Sequence, residues 1–224
     1  MALPPGRARR KPGWIDAAAA RGGKMQPIAT VEELERLYDP VVPGALAKVV
    51  TRLTPHYRAW IGASRFVVLS TVGPEGTDAS PRGDSGAVAQ VADDRTVLLP
   101  DWRGNNRLDS LRNIVRDGRV SLMFMVPGCN NVVRVNGSAI LTADPAMTAW
   151  FEHGGKRPRT VIVVRVGEAY FQCAKALMRS RLWAGEVPAI RLPSAGDFIK
   201  ELDDGFDAAA YDSGYADYAR DRMW

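Results

Sequence analysis

The segment Leu99–Arg107, which reads LPDWRGNNR, contains residue types that bind anions. Its glycine lets the backbone approach a ligand closely, and Asn105 and Asn106 add amide donors. The guanidinium group of Arg107 can hold two oxygens at once. An apolar helix pattern follows over residues 106–117, so free N–H groups at the helix start would complete a phosphate cradle. The alternative is that Asn106 only caps this helix and that the arginines are solvated.

A second polar segment, Ser80–Gly86 (SPRGDSG), lies between two strand patterns. It offers a hydroxyl group, the cation of Arg82 and two glycines that permit close contact between backbone and ligand. A polar hairpin loop accounts for the same residues. Taken alone, the segment favours that simpler interpretation.

The third segment is Cys173–Trp183, CAKALMRSRLW. Lys175 and Arg179 are four residues apart, so they share one face of a predicted helix. Two cations near the start of a helix that follows a long strand indicate an anionic partner, although a solvated basic face explains them as well. Cys173 has no identifiable His or Asp partner in the sequence, so we expect a buried, unreactive thiol.

Other kinds of site have little support in the sequence. There are only two cysteines and two histidines, and no CxxC or Cys/His cluster, so we expect no metal site. The patterns GxGxxG, GxxxxGK[ST], GxSxG and HExxH are absent. Spacing alone therefore identifies no catalytic residue.

Short apolar runs separated by turn residues predict six or seven strands from residue 66 onward, with short helices between them. The strands are expected at 66–71, 77–82, 86–92, 96–99, 120–126, 132–141 and 160–171. Helices are expected at 106–117, 144–151 and 174–183, and over 45–61 with a kink or break at Pro55. The elements do not alternate as βαβ units, so we predict a closed antiparallel barrel and no Rossmann sheet.

Local signals refine these expectations. Thr30 and Glu33 have the spacing of a helix capping box. The run 120–126, VSLMFMV, is apolar throughout and predicts a strand buried on both faces. Asn136 and Gly137 indicate a turn or a bulge.

Charge is distributed unevenly along the chain. Residues 1–24 hold six basic residues and one acidic residue, whereas residues 197–224 hold eight acidic and three basic residues. We predict a disordered basic tail (1–24), a helical lead-in packed on the barrel (25–65), a β-barrel (66–185) and an acidic helical extension (186–224) whose tyrosines pack against the body. No run of 18 apolar residues and no signal peptide is evident, so we expect a cytoplasmic protein without a membrane span.

The three polar segments, together with RVNG at Arg134–Gly137, resemble the pyridoxamine 5′-phosphate oxidase-like flavoproteins. More narrowly, they are similar to a branch of that family described as FMN-dependent enzymes, over residues 28–185. The resemblance implies a split β-barrel and a homodimer with FMN at the subunit interface. By position, it implies the following cofactor-binding residues: Arg82 and Arg107 as phosphate cations; Ser80, Asn105 and Asn106 as neutral donors; Pro81, Gly83, Asp84, Leu99 and Pro100 around the flavin ring; and Lys175, Arg179 and Trp183 reaching the partner's flavin.

The resemblance therefore implies an FMN-dependent oxidoreductase acting on a small substrate, with the redox chemistry supplied by the flavin. Two departures bear on the substrate. The Trp and Arg/His signature at the C-terminus of authentic pyridoxamine 5′-phosphate oxidases is absent, and Gln172 stands where the branch suggests His. The alternatives are a deazaflavin in place of FMN and a non-enzymatic flavin- or haem-binding protein. A nucleic-acid binder ranks last because no aromatic residues are interleaved with the N-terminal arginines.

Overall fold

The computed structural model describes residues 26–186, 189–220 and 222–224. The predicted disordered tail, 1–24, lies outside the described residues. The chain divides into two compact units, residues 1–47 and 48–224, which are described separately.

The described part of the first unit contains two short helices, α1 (Val31–Glu35) and α2 (Pro43–Ala47). The predicted cap at the start of α1 is confirmed, because the Thr30 hydroxyl accepts a hydrogen bond from the Glu33 amide at 3.1 Å. The Glu33 carboxylate accepts in turn from the Ala29 amide at 2.7 Å. These bonds satisfy amide groups that the first turn of a helix leaves free.

The second unit is built on one antiparallel sheet of seven strands, at the upper limit of the predicted number. The strands are β1 (Phe66–Gly73), β2 (Gly76–Gly83), β3 (Gln90–Asp93), β4 (Thr96–Asp101), β5 (Arg119–Met125), β6 (Val132–Thr142) and β7 (Thr160–Gln172). Their order in the sheet is β2-β1-β5-β6-β7-β4-β3. The outer strands β2 and β3 do not pair with each other within the described residues, so the prediction of a closed barrel is wrong and the sheet is open.

Short helices connect and flank the strands. They are α3 (Pro55–Ala63), α4 (Asp109–Arg116), α5 (Pro145–Thr148), α6 (Lys175–Ser180), α7 (Ala195–Lys200) and α8 (Ala208–Arg220), with a 3₁₀ turn at Ala149–Phe151. None of the helices within the described ranges is long and apolar enough to cross a membrane.

The helix predicted over 45–61 is not continuous. The chain between α2 and α3 is extended, and Val50 exchanges two backbone hydrogen bonds of 2.9 and 2.8 Å with Ala169 of β7. Pro55 begins α3, where its missing N–H and fixed φ are tolerated. The proline therefore splits the predicted helix, and Val50 before it pairs with β7 through an isolated β-bridge.

Of two predictions about individual strands, one is confirmed and the other is wrong. The register between β6 and β7 shifts at Asn136 and Gly137, which confirms the predicted bulge. A side chain at Gly137 would collide with the carbonyl of Arg165, so only glycine fits there. By contrast, β5 is not buried on both faces. Its residues alternate, with Leu122 and Phe124 fully buried and those between them partly exposed.

The larger of two buried apolar clusters lies on one side of this sheet, against α3 and α4, and the smaller one contains Leu98, Phe151 and Val161. Val67 and Leu69 of β1, Leu122 and Phe124 of β5 and Val135 of β6 are fully buried in the larger cluster. Leu111 and Ile114 of α4 pack onto the same cluster. Burial of each such side chain contributes roughly 1.5–3 kcal/mol. This packing holds the loop before α4 and the ends of β2 and β4 in fixed positions.

Candidate functional site

An open cleft of about 950 Å³ lies where β2 and β4 end. Two successive stretches form most of its walls, Ser80–Ser85 and Pro100–Leu108. The remaining lining residues are Val88, Leu111, Arg159, Thr160, Tyr215, Met223 and Trp224. The volume falls within the range of cofactor and small-molecule sites.

Side chains join the two walls of the cleft. Arg82 of β2 donates from Nη1 to the Asp101 carboxylate of β4 at 2.5 Å, and both side chains are largely buried. Directly after the ends of the two strands, Trp102 donates from Nε1 to Asp84 at 3.1 Å. The Asp84 carboxylate also accepts from the Gly86 amide at 3.2 Å, which fixes the turn after β2. Both cross-links bridge strands that are not neighbours in the sheet.

The loop before α4 differs from its prediction. α4 begins at Asp109, three residues later than expected, and Leu108 caps it without a side-chain hydrogen bond. Asn106 has a left-handed φ of 60°, and Asn105 accepts a hydrogen bond from the Arg107 amide at 2.9 Å. Asn106 is therefore not the helix cap, and the turn at Asn105–Arg107 lies before the helix start.

Arg107 points into solvent at the edge of the cleft, with 80% of its side chain exposed. Its Nε donates to Asp109 at 2.6 Å. This hydrogen bond, aided by the charge of the carboxylate, raises the pKa of Arg107 above its ordinary value. The guanidinium is therefore a permanent cation, oriented by the first residue of α4 with its terminal nitrogens left for a ligand.

Two buried polar atoms on the cleft lining lack a hydrogen-bond partner within the described part of the chain. They are Nε of Arg82 and Oγ1 of Thr160, a residue that faces Asp101 in the register of β4 and β7. Burying such atoms without a partner costs free energy, so native proteins seldom do so. Their position on the cleft lining points to a ligand with hydrogen-bonding atoms.

Nine of the thirteen predicted site residues meet in this cleft: Ser80, Pro81, Arg82, Gly83, Asp84, Pro100, Asn105, Asn106 and Arg107. Leu99 is instead a core residue. Lys175 and Arg179 lie on the exposed helix α6, and Trp183 donates from Nε1 to the Cys129 carbonyl at 2.8 Å. None of these last three residues lines the cleft of its own chain. Cys173 is exposed, so the prediction of a buried thiol is wrong.

Several lining residues were not predicted. Trp102 and Arg103 lie inside the segment LPDWRGNNR, but neither was among the predicted cofactor-binding residues. Thr160 could have been found only from the pairing of β7 with β4. Trp224 lies 122 residues from Trp102 in the sequence, and no local pattern connects the two.

Trp224 belongs to an aromatic cluster beside the cleft. Its ring lies 4.4 Å from the His153 ring at an interplanar angle of 32°. It meets the Trp102 ring at 5.4 Å and 86°, an edge-to-face arrangement. The C-terminal residue is thereby fixed to the β4 wall of the cleft.

No cluster of three or more His, Cys, Asp or Glu side chains that could hold a metal occurs within the described ranges. Neither His56 nor His153 is among the described residues that line the cleft. The polar groups that the cleft offers are therefore arginine, hydroxyl, amide and carboxylate groups.

The sequence model of the family described as pyridoxamine 5′-phosphate oxidase matches residues 53–173, more than half of the chain. No curated protein matches the sequence at a significant level.

Among solved structures, a variant of HupZ from Group A Streptococcus is similar at 17% identity and a TM-score of 0.45, covering 54% of this chain and 99% of that one. A proposed pyridoxamine 5′-phosphate oxidase from Lactobacillus delbrueckii gives 18% identity and a TM-score of 0.43, covering 54% and 95%. An FMN-binding protein from Syntrophomonas wolfei gives 17% and 0.39, covering 52% and 83%. The family assignment rests on the sequence match.

Proposed function

Because the chain belongs to the pyridoxamine 5′-phosphate oxidase family, we propose that it binds FMN in the cleft between β2 and β4 and acts as an FMN-dependent oxidoreductase on a small substrate. One observation carries this proposal. Two buried donors without partners, Arg82 Nε and Thr160 Oγ1, lie on the lining of a cleft large enough for a cofactor. A flavin mononucleotide has the acceptor atoms that these donors lack.

The residues present fit the two ends of FMN. A phosphate needs a cation and several neutral donors, and the turn at Asn105–Arg107 supplies both beside the hydroxyl of Ser80. The flavin ring needs a flat, mostly apolar slot, for which Pro81, Pro100 and Trp102 are available. In this proposal Arg82 contributes through Nε, since its Nη1 is engaged by Asp101.

A bound FMN would supply electron transfer to and from the substrate, and the protein would supply binding, orientation and tuning. Arg103 and Arg159 are exposed cations on the lining. A cation beside the ring favours the reduced, anionic flavin. Asp84 is held by Trp102 and Gly86, so it is a fixed acceptor and not a free base.

We further propose a homodimer in which Lys175 and Arg179 reach the partner's cleft. Two observations support this. Both cations are exposed on α6 and do not line their own cleft. The outer face of β5 and β6 also carries Met123, Met125 and Arg134, which are only partly buried.

The phosphate site is tested by comparing FMN with riboflavin, which has the same ring and no phosphate. The Arg107→Gln variant should bind FMN about tenfold more weakly, because it removes a charge-assisted contact, and should bind riboflavin as the wild type does. Titration of the apoprotein, followed by flavin fluorescence, measures both affinities. Equal losses for the two flavins would contradict a phosphate role for Arg107.

Arg52→Gln is the matched control, because Arg52 is also exposed and paired with an aspartate, Asp94, but does not line the cleft. It should leave both affinities unchanged. Replacement of both Arg82 and Arg107 should give colourless protein. The single variant Arg107→Gln is easier to interpret than the double variant, because loss of Arg82 also removes the ion-pair partner of Asp101.

A flavin-binding protein without catalytic activity would pass these binding tests. Turnover separates the two functions. An oxidoreductase should show reduction of its bound flavin by a physiological donor such as NADH or NADPH, followed by reoxidation. Flavin that binds but resists reduction by both donors would favour the non-enzymatic alternative.

A further inference from the structure

The C-terminal end of the chain contributes to the cleft although it lies outside the region matched by the family. Tyr215, Met223 and Trp224 all line the cleft, whereas the match ends at residue 173. These residues therefore lie outside the matched region. The contacts of these three residues indicate their role in the cleft.

α8 and residues 222–224 are called the arm below. The arm contributes little to the hydrophobic core. The helix has 13 residues and none is buried, and a helix of that length is marginal by itself. Asp212 of α8 accepts hydrogen bonds from the Gly196 amide at 3.0 Å and from the Ser194 hydroxyl, which ties the arm to α7. Its support is therefore another surface helix.

Aromatic contacts run along the arm toward its tip. Tyr211 and Tyr215 stack at 5.8 Å, and Tyr215 and Tyr218 at 6.5 Å. The Arg222 guanidinium then lies 4.1 Å above the Tyr218 ring. These contacts order the arm up to the two residues that enter the cleft, Met223 and Trp224.

At its tip the arm is fixed by Trp224. One ring contact is made with His153, in the loop before β7, and the other with Trp102, at the end of β4. Trp102 is itself fixed by Asp84 on the opposite wall. The indole of Trp224 therefore extends a cleft wall that the hydrogen bond between Trp102 and Asp84 holds in place.

From these contacts we propose that Trp224 is a specificity-determining residue: its indole narrows the mouth of the cleft and excludes bulky molecules from the bound cofactor while admitting small ones. The proposal rests on the proposed function, since it concerns access to FMN in this cleft. In this proposal Trp224, which lies outside the region matched by the family, selects the substrate by its size. It also predicts slower escape of FMN, because the same indole obstructs the cofactor's exit.

The test uses full-length, FMN-loaded protein whose flavin is reduced under anaerobic conditions by illumination with EDTA, which supplies the two electrons and is itself oxidised. Reoxidation is followed with two acceptors of different size, molecular oxygen and the two-ring dye dichlorophenolindophenol. Each dye molecule takes two electrons and two protons and becomes its colourless form, while the flavin is reoxidised. Trp224→Ala should react with the dye about tenfold faster and with oxygen at the wild-type rate, because only the larger molecule is obstructed.

Trp224→Phe should retain most of the exclusion, because it keeps an aromatic ring at the tip. Trp150→Ala is the matched control: Trp150 is an exposed tryptophan that does not line the cleft. It should match the wild type with both acceptors. A readout independent of turnover is the FMN dissociation rate, which should rise in Trp224→Ala and stay unchanged in Trp150→Ala.

Flavin-loaded Trp224→Ala with wild-type rates for the dye and for FMN release would overturn the inference and leave the proposed function intact. Wild-type protein that takes up no FMN would overturn both. Since Trp224 belongs to no helix or strand and is only partly buried, loss of its indole should leave the fold unchanged, and circular dichroism of the variants checks this. Deletion of Met223 and Trp224 should reproduce the alanine result.

Discussion

Arg82 and Asp101 form an ion pair of 2.5 Å between β2 and β4, two strands that lie five positions apart in the sheet order. The sheet is open, so backbone hydrogen bonds do not connect these strands. The ion pair and the neighbouring bond from Trp102 to Asp84 join them instead. Side-chain bonds thus connect the ends of β2 and β4, which backbone hydrogen bonds do not, and the cleft lies beside these bonds.

Removal of Asp101 should destabilise the fold. In Asp101→Asn the Arg82 guanidinium keeps its burial but loses its charged partner, so we expect a loss of about 1–2 kcal/mol, less than for a fully buried pair. Urea unfolding of the apoprotein measures the change. Asp94→Asn breaks the more exposed pair with Arg52 and should cost less than about 0.5 kcal/mol. Equal costs at the two positions would contradict a structural role for the Arg82–Asp101 pair.

The second cross-link is tested by Trp102→Phe. The substitution keeps an aromatic ring but removes the Nε1 donor, and Asp84 retains its bond from the Gly86 amide. We expect a loss of about 1 kcal/mol in stability and weaker flavin binding. Unfolding and FMN titration measure the two effects. Unchanged values for both would show that this bond does not hold the cleft walls together.

Thr160→Val separates stability from binding. The Thr160 hydroxyl is buried without a partner within the described residues, so its replacement by a methyl group should leave the apoprotein as stable as before or more stable. If that hydroxyl binds the cofactor, FMN affinity should fall about fivefold to tenfold. Thermal unfolding with and without FMN measures both quantities.

Thr71→Val is the matched control for this substitution. The Thr71 hydroxyl accepts a hydrogen bond from the Asn113 side chain at 3.1 Å and does not line the cleft. The variant should be less stable by about 1 kcal/mol and should bind FMN with unchanged affinity. A loss of apoprotein stability in Thr160→Val as large as in Thr71→Val would contradict a ligand role for Thr160.

The proposed dimer gives a test for Lys175 and Arg179. Replacing both with glutamine should weaken FMN binding severalfold while the protein stays dimeric, because the cations serve the partner's cleft and not the fold. Sedimentation and FMN titration provide the two readouts. A monomeric wild type, or unchanged affinity in the variant, would contradict this role.

The strands and the polar segments could be predicted from the sequence because both are local. Short apolar runs rich in β-branched residues indicated β1, β6 and β7, and the segments that resemble a known family supplied most of the cleft. Local patterns failed where a distant partner decided the outcome. Val50 pairs with Ala169 of β7, 119 residues further along the chain, and no pattern around Val50 indicates this partner.

Local sequence patterns also did not predict the position of Trp224 or the pairing of Arg82 with Asp101. The family resemblance implied a phosphate role for Arg82, whereas the segment taken alone favoured a polar hairpin loop. In the structure one nitrogen of Arg82 is engaged by Asp101, 19 residues away in the chain. Which partner an arginine takes depends on the order of strands in the sheet, and a list of strands does not give that order.

The visible absorption spectrum of the freshly purified protein, followed by identification of any released chromophore, is the decisive test of FMN binding. We expect the two absorption bands of an oxidised flavin and the release of FMN. Protein that is colourless and takes up no added FMN would contradict the assignment of the cleft between β2 and β4 to this cofactor.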